Sequence, residues 1–182
     1  MTERTRDAGR AASKARAPGP LEPHELEAAA LRYLNRFDCS VQKLRRHLAS
    51  LVRRRGGDRA ALEAHLETLL ARYQASGVLN DARFAENLAG RLQERGGSRR
   101  AIVEKLRRRG ITSGVAQAAV VTSAQSELEA ARAYVRRRRL GSFRPEEERR
   151  ENRRRDLAAL ARTGFDHETA IRALGYGSDE DF

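Results

Sequence analysis

The sequence has little that would support chemistry at a fixed site. It contains one cysteine, Cys39, so no disulfide framework is possible, and a free thiol fits a reducing cytosol. None of its four histidines pairs with another at metal-ligand spacing. It has neither a Walker-type phosphate loop nor a G-x-G-x-x-G turn after a strand. We therefore expect no catalytic residues, no metal, no cofactor and no enzymatic activity.

Aromatic residues and long apolar runs are scarce as well. There is no tryptophan, with five Phe and four Tyr, so large platforms for stacking bases are not expected. No apolar run approaches the roughly 18–20 residues that a bilayer span needs. The N-terminus carries charges without the apolar segment of a signal peptide. These features predict a soluble, cytoplasmic protein without a membrane partner.

What the sequence has in excess is arginine. Lys and Arg total 37 of the 182 residues against 25 Asp and Glu, which gives a formal net charge of +12. An imbalance of this kind favours phosphate, nucleic acid or an acidic protein surface as the partner. Two plainer explanations stay open: the codon usage of a high-GC genome, and helix faces whose charges are only solvated.

A short signal recurs along the chain: an apolar residue, a polar turn and a glycine. The glycines fall at 56, 110 and 164, a period of 54 residues. In the middle copy Gly110 suits the left-handed C′ position, and Leu106 and Ile111 form the apolar pair of a Schellman motif. Leu160 and Phe165 repeat this pair, whereas Gly57 replaces the apolar residue in the first copy and predicts a looser helix end there. A fixed period of this length predicts tandem repeats.

Apolar residues at helical spacing divide the chain into three groups of three helices. Strand-like alternation is missing, so we predict an all-α fold of three tandem three-helix repeats that form an elongated, curved array. The predicted organisation is a disordered basic tail over 1–22, repeats over 23–78, 79–125 and 126–177, and an acidic tail over 178–182.

Several helix starts are marked by good N-cap residues. We predict caps at Ser40, Ser98, Thr112 and Asp166, and also at Asn80, where Leu79 and Phe84 have the spacing of a hydrophobic staple.

Arginine runs supply the candidate binding residues. A single run at a helix end is explained by the negative end of the helix dipole. The run 136–139, however, covers all sides of a helical turn, and the run 153–155 lies more than a turn before its helix ends. We predict one basic face that binds phosphate and acidic groups. Its members are Arg53, Arg54, Arg55, Arg99, Arg100, Arg107, Arg108, Arg109, Arg136, Arg137, Arg138, Arg139, Arg153, Arg154 and Arg155.

Four strings in order, which span roughly residues 23–175, resemble a known family. They are ALRYLNR at 30–36 followed by Ser40 and Leu44, LNDARFA at 79–85, GSRRAI at 97–102 continuing to Ile111, and LARTGF at 160–165 followed by Ile171 and Leu174. In this order they are similar to the bacterial regulatory protein RecX family, which modulates the RecA recombinase. Lys43 stands where the family usually has Glu, and Asn80 where it usually has Asp.

The resemblance implies a function. Members bind RecA–DNA filaments in the helical groove and block or reverse filament growth, which reduces strand exchange, ATP hydrolysis and coprotease activity in DNA repair, recombination and the SOS response. They also bind DNA directly, so the implied partners are the recombinase filament and single- and double-stranded DNA. We further expect a monomer.

Other functions remain open. The main alternative is a non-specific DNA- or RNA-binding helical protein that acts through arginine–phosphate contacts, and a third is a scaffold whose arginines only solubilise it. Sequence-specific readout is disfavoured because the middle helices end in Arg, whereas recognition helices usually present base-reading side chains near their N-termini.

Overall fold

A computed structural model describes residues 19–122 and 126–175. Within those ranges the chain forms nine α-helices, a 3₁₀ turn at Gly141–Phe143 and no β-strand. The helices are α1 Pro23–Leu34, α2 Val41–Arg55, α3 Arg59–Ala75, α4 Asp81–Glu94, α5 Arg99–Arg108, α6 Ser113–Val121, α7 Glu127–Arg138, α8 Glu146–Thr163 and α9 His167–Leu174. The predicted all-α class and the three tandem three-helix repeats are confirmed. The acidic tail 178–182 and most of the basic tail 1–22 lie outside the described residues.

Side-chain caps begin most of these helices. The predicted N-cap residues Ser40, Asn80, Ser98 and Asp166 each accept a hydrogen bond from a backbone amide in the first turn. Thr112 occupies the N-cap position of α6 but makes no such bond. Most helix starts are therefore determined locally, because the cap satisfies an amide that has no partner within the helix.

Two of the three predicted glycine stops are full Schellman motifs. Gly110 has a φ of +88°, its amide donates to the Arg107 carbonyl at 2.9 Å, and the amide of Ile111 donates to the Leu106 carbonyl at 3.2 Å. Gly164, with a φ of +95°, ends α8 with the equivalent pair of backbone hydrogen bonds. The amide of Gly56 donates only to the carbonyl of Val52. The C-terminal end of α2 is therefore looser than the other two, as the sequence predicted.

Each group of three helices encloses its own apolar core. Most of the large side chains that are completely buried are leucines from the helix faces that the periodicity predicted, such as Leu44 and Leu62 in the first core. Leu79 also belongs to the first core, although the sequence predicted that it would pack on Phe84, which lies in the second core. Leu21, which the sequence analysis assigned to the tail, is buried in the first core as well.

The first and second repeats are joined at the start of α2. The hydroxyl of Ser40 donates to the carbonyl oxygen of Arg109 at 2.6 Å, and the amide of Val41 donates to a carboxylate oxygen of Asp81 at 2.9 Å. Gly110 lies so close to Gln42 that a Cβ at Gly110 would stand 2.5 Å from the Cβ of Gln42. The glycine is therefore required both by its left-handed backbone and by the neighbouring helix.

The second and third repeats are joined in the same way, at the start of α5. Ser98 donates to the carbonyl oxygen of Thr163 at 2.5 Å, and the amide of Arg99 donates to the carboxylate of Glu127 at 3.1 Å. A Cβ at Gly164 would stand 2.8 Å from the hydroxyl oxygen of Ser98. Because both junctions use the second helix of a repeat in the same way, the second repeat lies between the other two, with equivalent contacts on each side.

The arginine clusters as a candidate functional site

The candidate arginines lie mainly at helix ends. The runs 53–55, 107–109 and 136–139 stand at the C-terminal ends of α2, α5 and α7, Arg99 and Arg100 begin α5, and the run 153–155 lies in the middle of α8. All are exposed except Arg55 and Arg153, which are half-buried. Basic side chains in a last turn complement the helix dipole, and the exposed guanidinium groups face solvent.

The first run divides into one structural arginine and two exposed ones. The guanidinium of Arg55 donates to the carboxylate of Glu25 at 2.9 Å and to the carbonyl oxygen of Gly19 at 2.8 Å. Its side chain is only 20% exposed, and its hydrogen bond holds the pKa of the Glu25 carboxyl below the ordinary value. Arg55 therefore fastens the segment before α1 to the end of α2, while Arg53 and Arg54 remain exposed.

Two arginines of the run 107–109, Arg108 and Arg109, border a cleft at the first junction. This cleft has a volume of about 400 Å³. Its lining residues are Tyr33, Phe37, Asp38, Cys39, Ser40, Lys43, Arg46, Phe84, Arg108 and Arg109. Arg108 also forms an exposed ion pair with Glu104, with 3.1 Å between Nε and Oε1. Four cations from two repeats thus share one concave surface with the carboxylate of Asp38, and Glu104 pairs with one of the four, so the cleft keeps a net positive charge.

Arg99 and Arg100 take part in the second junction. The guanidinium of Arg99 lies 3.7 Å from the carboxylate of Glu127, which also accepts the amide of Arg99. Burial raises the pKa of the Glu127 carboxyl, and the Arg99 amide and charge oppose this shift. The side chain of Arg100 passes beside Gly164. These two residues therefore connect repeats as well as contributing positive charge.

The run 136–139 lies at the end of α7. Arg137 stands over the ring of Tyr134, with 5.9 Å from the guanidinium carbon to the ring centroid. Arg139 has a φ of +52°, the only positive φ of a non-glycine residue in the described ranges. Arg136 borders a second cleft, of about 850 Å³, together with Arg132 and Arg172 but also with the carboxylates of Glu94 and Glu129. Charge of both signs therefore lines this second cleft.

A buried ion pair that no local sequence pattern indicates lies near the run 153–155. Asp156 is 1% exposed, and both of its carboxylate oxygens accept from the guanidinium of Arg144, at 2.9 and 3.0 Å. The amide of Gly141 donates to the same carboxylate at 2.9 Å. Asp156 thus fastens the 3₁₀ turn to α8. Arg144 and Asp156 stand 12 positions apart in the sequence, so only folding brings the two together.

The runs are spaced along the molecule. The carbonyl of Arg109 meets the start of α2, whereas the run 53–55 lies at its end. At about 1.5 Å per residue, the 15 residues of α2 separate these two runs by roughly 20 Å. The run 107–109 is likewise separated from Arg99 and Arg100 by the length of α5. The arrangement offers several basic contact points to an extended partner.

Other reactive groups in the described part of the chain lie in structural positions. Burial, with the charges of Asp38 and Asp81, raises the pKa of the Cys39 thiol to about 11. The ring of His47 stacks on Tyr33, with 4.2 Å between centroids, and burial lowers its pKa. Among the described residues no cluster of three or more His, Cys, Asp or Glu has a metal-binding arrangement. Likewise, none of the described helices combines the length and apolarity of a membrane span.

Comparison with known proteins identifies the family. A model described as RecX, second three-helix domain, matches residues 80–120, the segment that contains α4 to α6. The chain is 40% identical over 164 residues to "Regulatory protein RecX" of Myxococcus xanthus (strain DK1622), which covers 86% of this chain and 88% of that protein. It is 38% identical to the protein of the same name from Amycolatopsis mediterranei (strain U-32), with 81% and 82% covered, and 35% identical to that of Halorhodospira halophila (strain DSM 244 / SL1), with 84% and 88% covered. The chain belongs to the RecX family of regulatory proteins.

Proposed function

We propose that this protein binds RecA-type recombinase filaments on DNA and inhibits or modulates the recombinase in DNA repair and recombination. Its relatives are named regulatory proteins, and the family resemblance supplies the recombinase as the partner. The proposed protein is a cytoplasmic monomer without catalytic activity of its own. It binds single- and double-stranded DNA as well as the filament.

One observation supports this most directly: exposed arginines stand at successive positions along repeats that are joined by equivalent hydrogen bonds. A row of guanidinium groups on a stiff support suits a partner that itself repeats, such as a nucleoprotein filament. Arginine binds phosphate and carboxylate bidentately, so it can contact both the DNA and acidic groups of the protein. The proposed binding face consists of the arginines predicted from the sequence, with Arg55 acting mainly within the first repeat.

The test replaces three charges at one contact point. Arg107, Arg108 and Arg109 are changed together to Gln, which keeps helix propensity. The junction should survive, because Ser40 binds the backbone carbonyl of Arg109 and not its side chain. We expect a folded protein that inhibits recombinase ATPase and strand exchange less strongly than the parent protein. The matched control changes Arg4, Arg6 and Arg10 to Gln, and an equal loss of inhibition there would contradict an ordered binding face.

The alternative function, non-specific nucleic-acid binding, is separated by salt dependence. Binding to naked and to recombinase-coated single-stranded DNA is compared at low and physiological salt. Phosphate contacts alone lose affinity steeply with salt, by about 0.7 log unit per log unit of salt for each contact on a single strand. Filament binding should keep a salt-resistant part from apolar and shape contacts. Identical salt slopes on both substrates would favour the alternative.

A further inference from the structure

The cleft at the first junction combines positive charge with exposed aromatic surface. The ring of Phe37 is 48% exposed and lies on the rim of the cleft, 5.0 Å from the ring of Tyr33. Tyr33 in turn stacks on His47. Three of the seven aromatic residues in the described part of the chain, Tyr33, Phe37 and Phe84, therefore line this cleft, at a place that the composition alone did not indicate.

The aromatic group is held in position by its neighbours. The amide of Phe37 donates to the carbonyl of Tyr33 at 3.0 Å, just after α1 ends, and this bond fixes the backbone that carries the ring. The guanidinium of Arg36 lies 5.6 Å from the Phe37 ring centroid. A half-exposed ring that is held in place from the backbone and by adjacent rings can stack on a flat ligand with little loss of conformational entropy.

The charges around the cleft select the chemistry of that ligand. Lys43 and Arg46 come from α2, and Arg108 and Arg109 come from the end of α5. The opposing carboxylates are Asp38 in the lining and Glu104, which pairs with Arg108 at the surface. Buried Cys39 and Phe84 form the apolar part of the lining. A flat apolar ring system that carries a phosphate matches all three features, and that combination is a nucleotide.

We propose that the first junction is a binding subsite for one nucleotide of a single strand, with the base stacked on Phe37 and the phosphates on Lys43, Arg46, Arg108 and Arg109. The volume of about 400 Å³ lies at the lower end of the range for small-ligand sites, roughly 300–1,000 Å³. Paired bases in a duplex already stack on one another, so the site takes an unpaired one. An acidic peptide would satisfy the cations but would leave the ring without a stacking partner.

This subsite deepens the nucleic-acid part of the proposed function and rests on it, but it is tested without the recombinase. The probes are fluorescein-labelled oligo-dT and oligo-U of 12 nucleotides, with binding followed by anisotropy. Phe37→Leu removes the aromatic face and keeps an apolar side chain. Stacking on one base corresponds to a loss of about 5- to 100-fold in affinity. The slope of affinity against salt should be unchanged, because the phosphate contacts remain.

Two further variants make the result specific. Phe37→Trp keeps the stacking face and introduces the only tryptophan of the chain. We expect affinity within twofold of the parent protein and quenching of the tryptophan fluorescence when oligonucleotide is added. Phe143→Leu is the matched comparison: Phe143 is also half-exposed, at 50%, but the cleft that it lines holds the carboxylates of Glu94 and Glu129 beside its arginines, and these disfavour a phosphate there. This variant should bind as the parent protein does.

Several outcomes would overturn the subsite. They are unchanged affinity of Phe37→Leu, an equal loss in Phe143→Leu, or absence of quenching in Phe37→Trp. Displacement of the oligonucleotide by poly-glutamate with the same dependence on Phe37 would instead identify an acidic protein segment as the ligand. Stronger binding of oligo-U than of oligo-dT would assign the subsite to RNA. Inhibition of the recombinase is measured separately on the same variants, so a failure of the filament proposal remains distinguishable.

Discussion

The hydroxyl of Ser40 donates a hydrogen bond to the carbonyl oxygen of Arg109, and the same hydroxyl accepts one from the amide of Lys43. It therefore caps its own helix and at the same time binds the end of a helix in the next repeat. Ser98 does the same with Thr163 and Ala101. Both serines are 0% exposed. Formation of the helix start and docking of the neighbouring repeat are thus coupled through one atom.

This coupling predicts that Ser40→Ala destabilises the protein more than loss of an ordinary cap. A cap is worth about 0.5–2 kcal/mol, and the lost hydrogen bond to the part-buried Arg109 carbonyl adds about 0.5–1.5 kcal/mol. We expect the free energy of unfolding to fall by about 1–3 kcal/mol in urea titrations. The matched control is Thr112→Ala, because Thr112 holds an N-cap position without a cap bond. A loss in Ser40→Ala no larger than in the control would contradict the role of the hydroxyl.

The glycines predict a series of effects with different signs. Gly110 has a φ of +88°, and a Cβ built there would stand 2.5 Å from its nearest neighbour. Gly56 has a φ of +71°, but a Cβ there would meet no atom within 4 Å. Gly114 lies in α6, and a Cβ there would also meet no atom within 4 Å. Substitution of Ala at Gly114 should stabilise the protein by about 0.4–1 kcal/mol. At Gly56 it should cost about 1–3 kcal/mol, because a φ of +71° with a ψ of −165° lies in a region that essentially only glycine adopts. At Gly110 the left-handed backbone costs about 1–2 kcal/mol, and the movement of Gln42 adds to this.

Thermal unfolding of the three variants checks this order. Gly110→Val should be the least stable of all, since a β-branched residue is poorly tolerated at positive φ. A loss in Gly110→Ala no larger than the about 1–2 kcal/mol of left-handed strain would mean that the approach of Gln42 is unimportant.

Local signals in the sequence predicted much of this fold, and contacts between distant residues account for what they missed. Ser40, Asn80 and Gly110 were identified because caps and Schellman motifs depend on neighbours within a few residues. The sequence could not indicate that Ser40 meets Arg109, 69 positions away, or that Leu79 packs into the preceding core. These contacts depend on how completed helices pack.

The candidate site follows the same division. The arginine runs could be read directly from the sequence, but their partners could not. Arg55 was grouped with Arg53 and Arg54, although its pairing with Glu25 sets it apart. The cleft beside Phe37 combines residues of α1, α2, α4 and α5, so no single stretch of sequence carries its pattern.

Asp81, at the first junction, and Asp166, the N-cap of α9, should respond to pH in opposite ways. Burial raises the pKa of the Asp81 carboxyl, partly offset by the Val41 amide, whereas hydrogen bonds from Thr169 lower the pKa of the Asp166 carboxyl. Because the pKa of Asp81 is higher in the folded than in the unfolded state, the native protein keeps this proton bound up to a higher pH. The contribution of Asp81 to stability therefore falls as the pH rises from about 3.9 through the folded pKa. Asp166 contributes stability above about pH 3.9, and this is lost as pH falls through its lowered folded pKa.

Substitution by Asn tests both signs. As the pH rises from 3 to 7, the free energy of unfolding of Asp81→Asn should increase relative to that of the parent protein. The amide oxygen of Asn can still accept from Val41, but it places no charge at this partly buried site. Over the same rise in pH, the free energy of unfolding of Asp166→Asn should decrease relative to that of the parent protein. The measurement is the free energy of unfolding of each variant minus that of the parent protein at each pH. Parallel curves for the two variants would refute the assignment.

The alkylation rate of the Cys39 thiol should report on opening of the first junction. It is the only cysteine of the chain, it is 7% exposed, and it precedes Ser40 on the lining of the cleft. With a pKa of about 11, far less of the thiol is ionised at pH 8 than in an unfolded chain, where the pKa is about 8.5. Alkylation by iodoacetamide should therefore be at least about a hundredfold slower in the native protein than in urea.

Because one thiol is present, the extent of labelling reports on one site. Ser40→Ala and Gly110→Ala should both accelerate labelling of the native protein, by about tenfold for each 1.4 kcal/mol by which opening of the junction becomes easier. Thr112→Ala should leave the rate unchanged. A native thiol that reacts as fast as the unfolded one, or a rate unaffected by both junction variants, would show that the contact between the first two repeats does not protect Cys39.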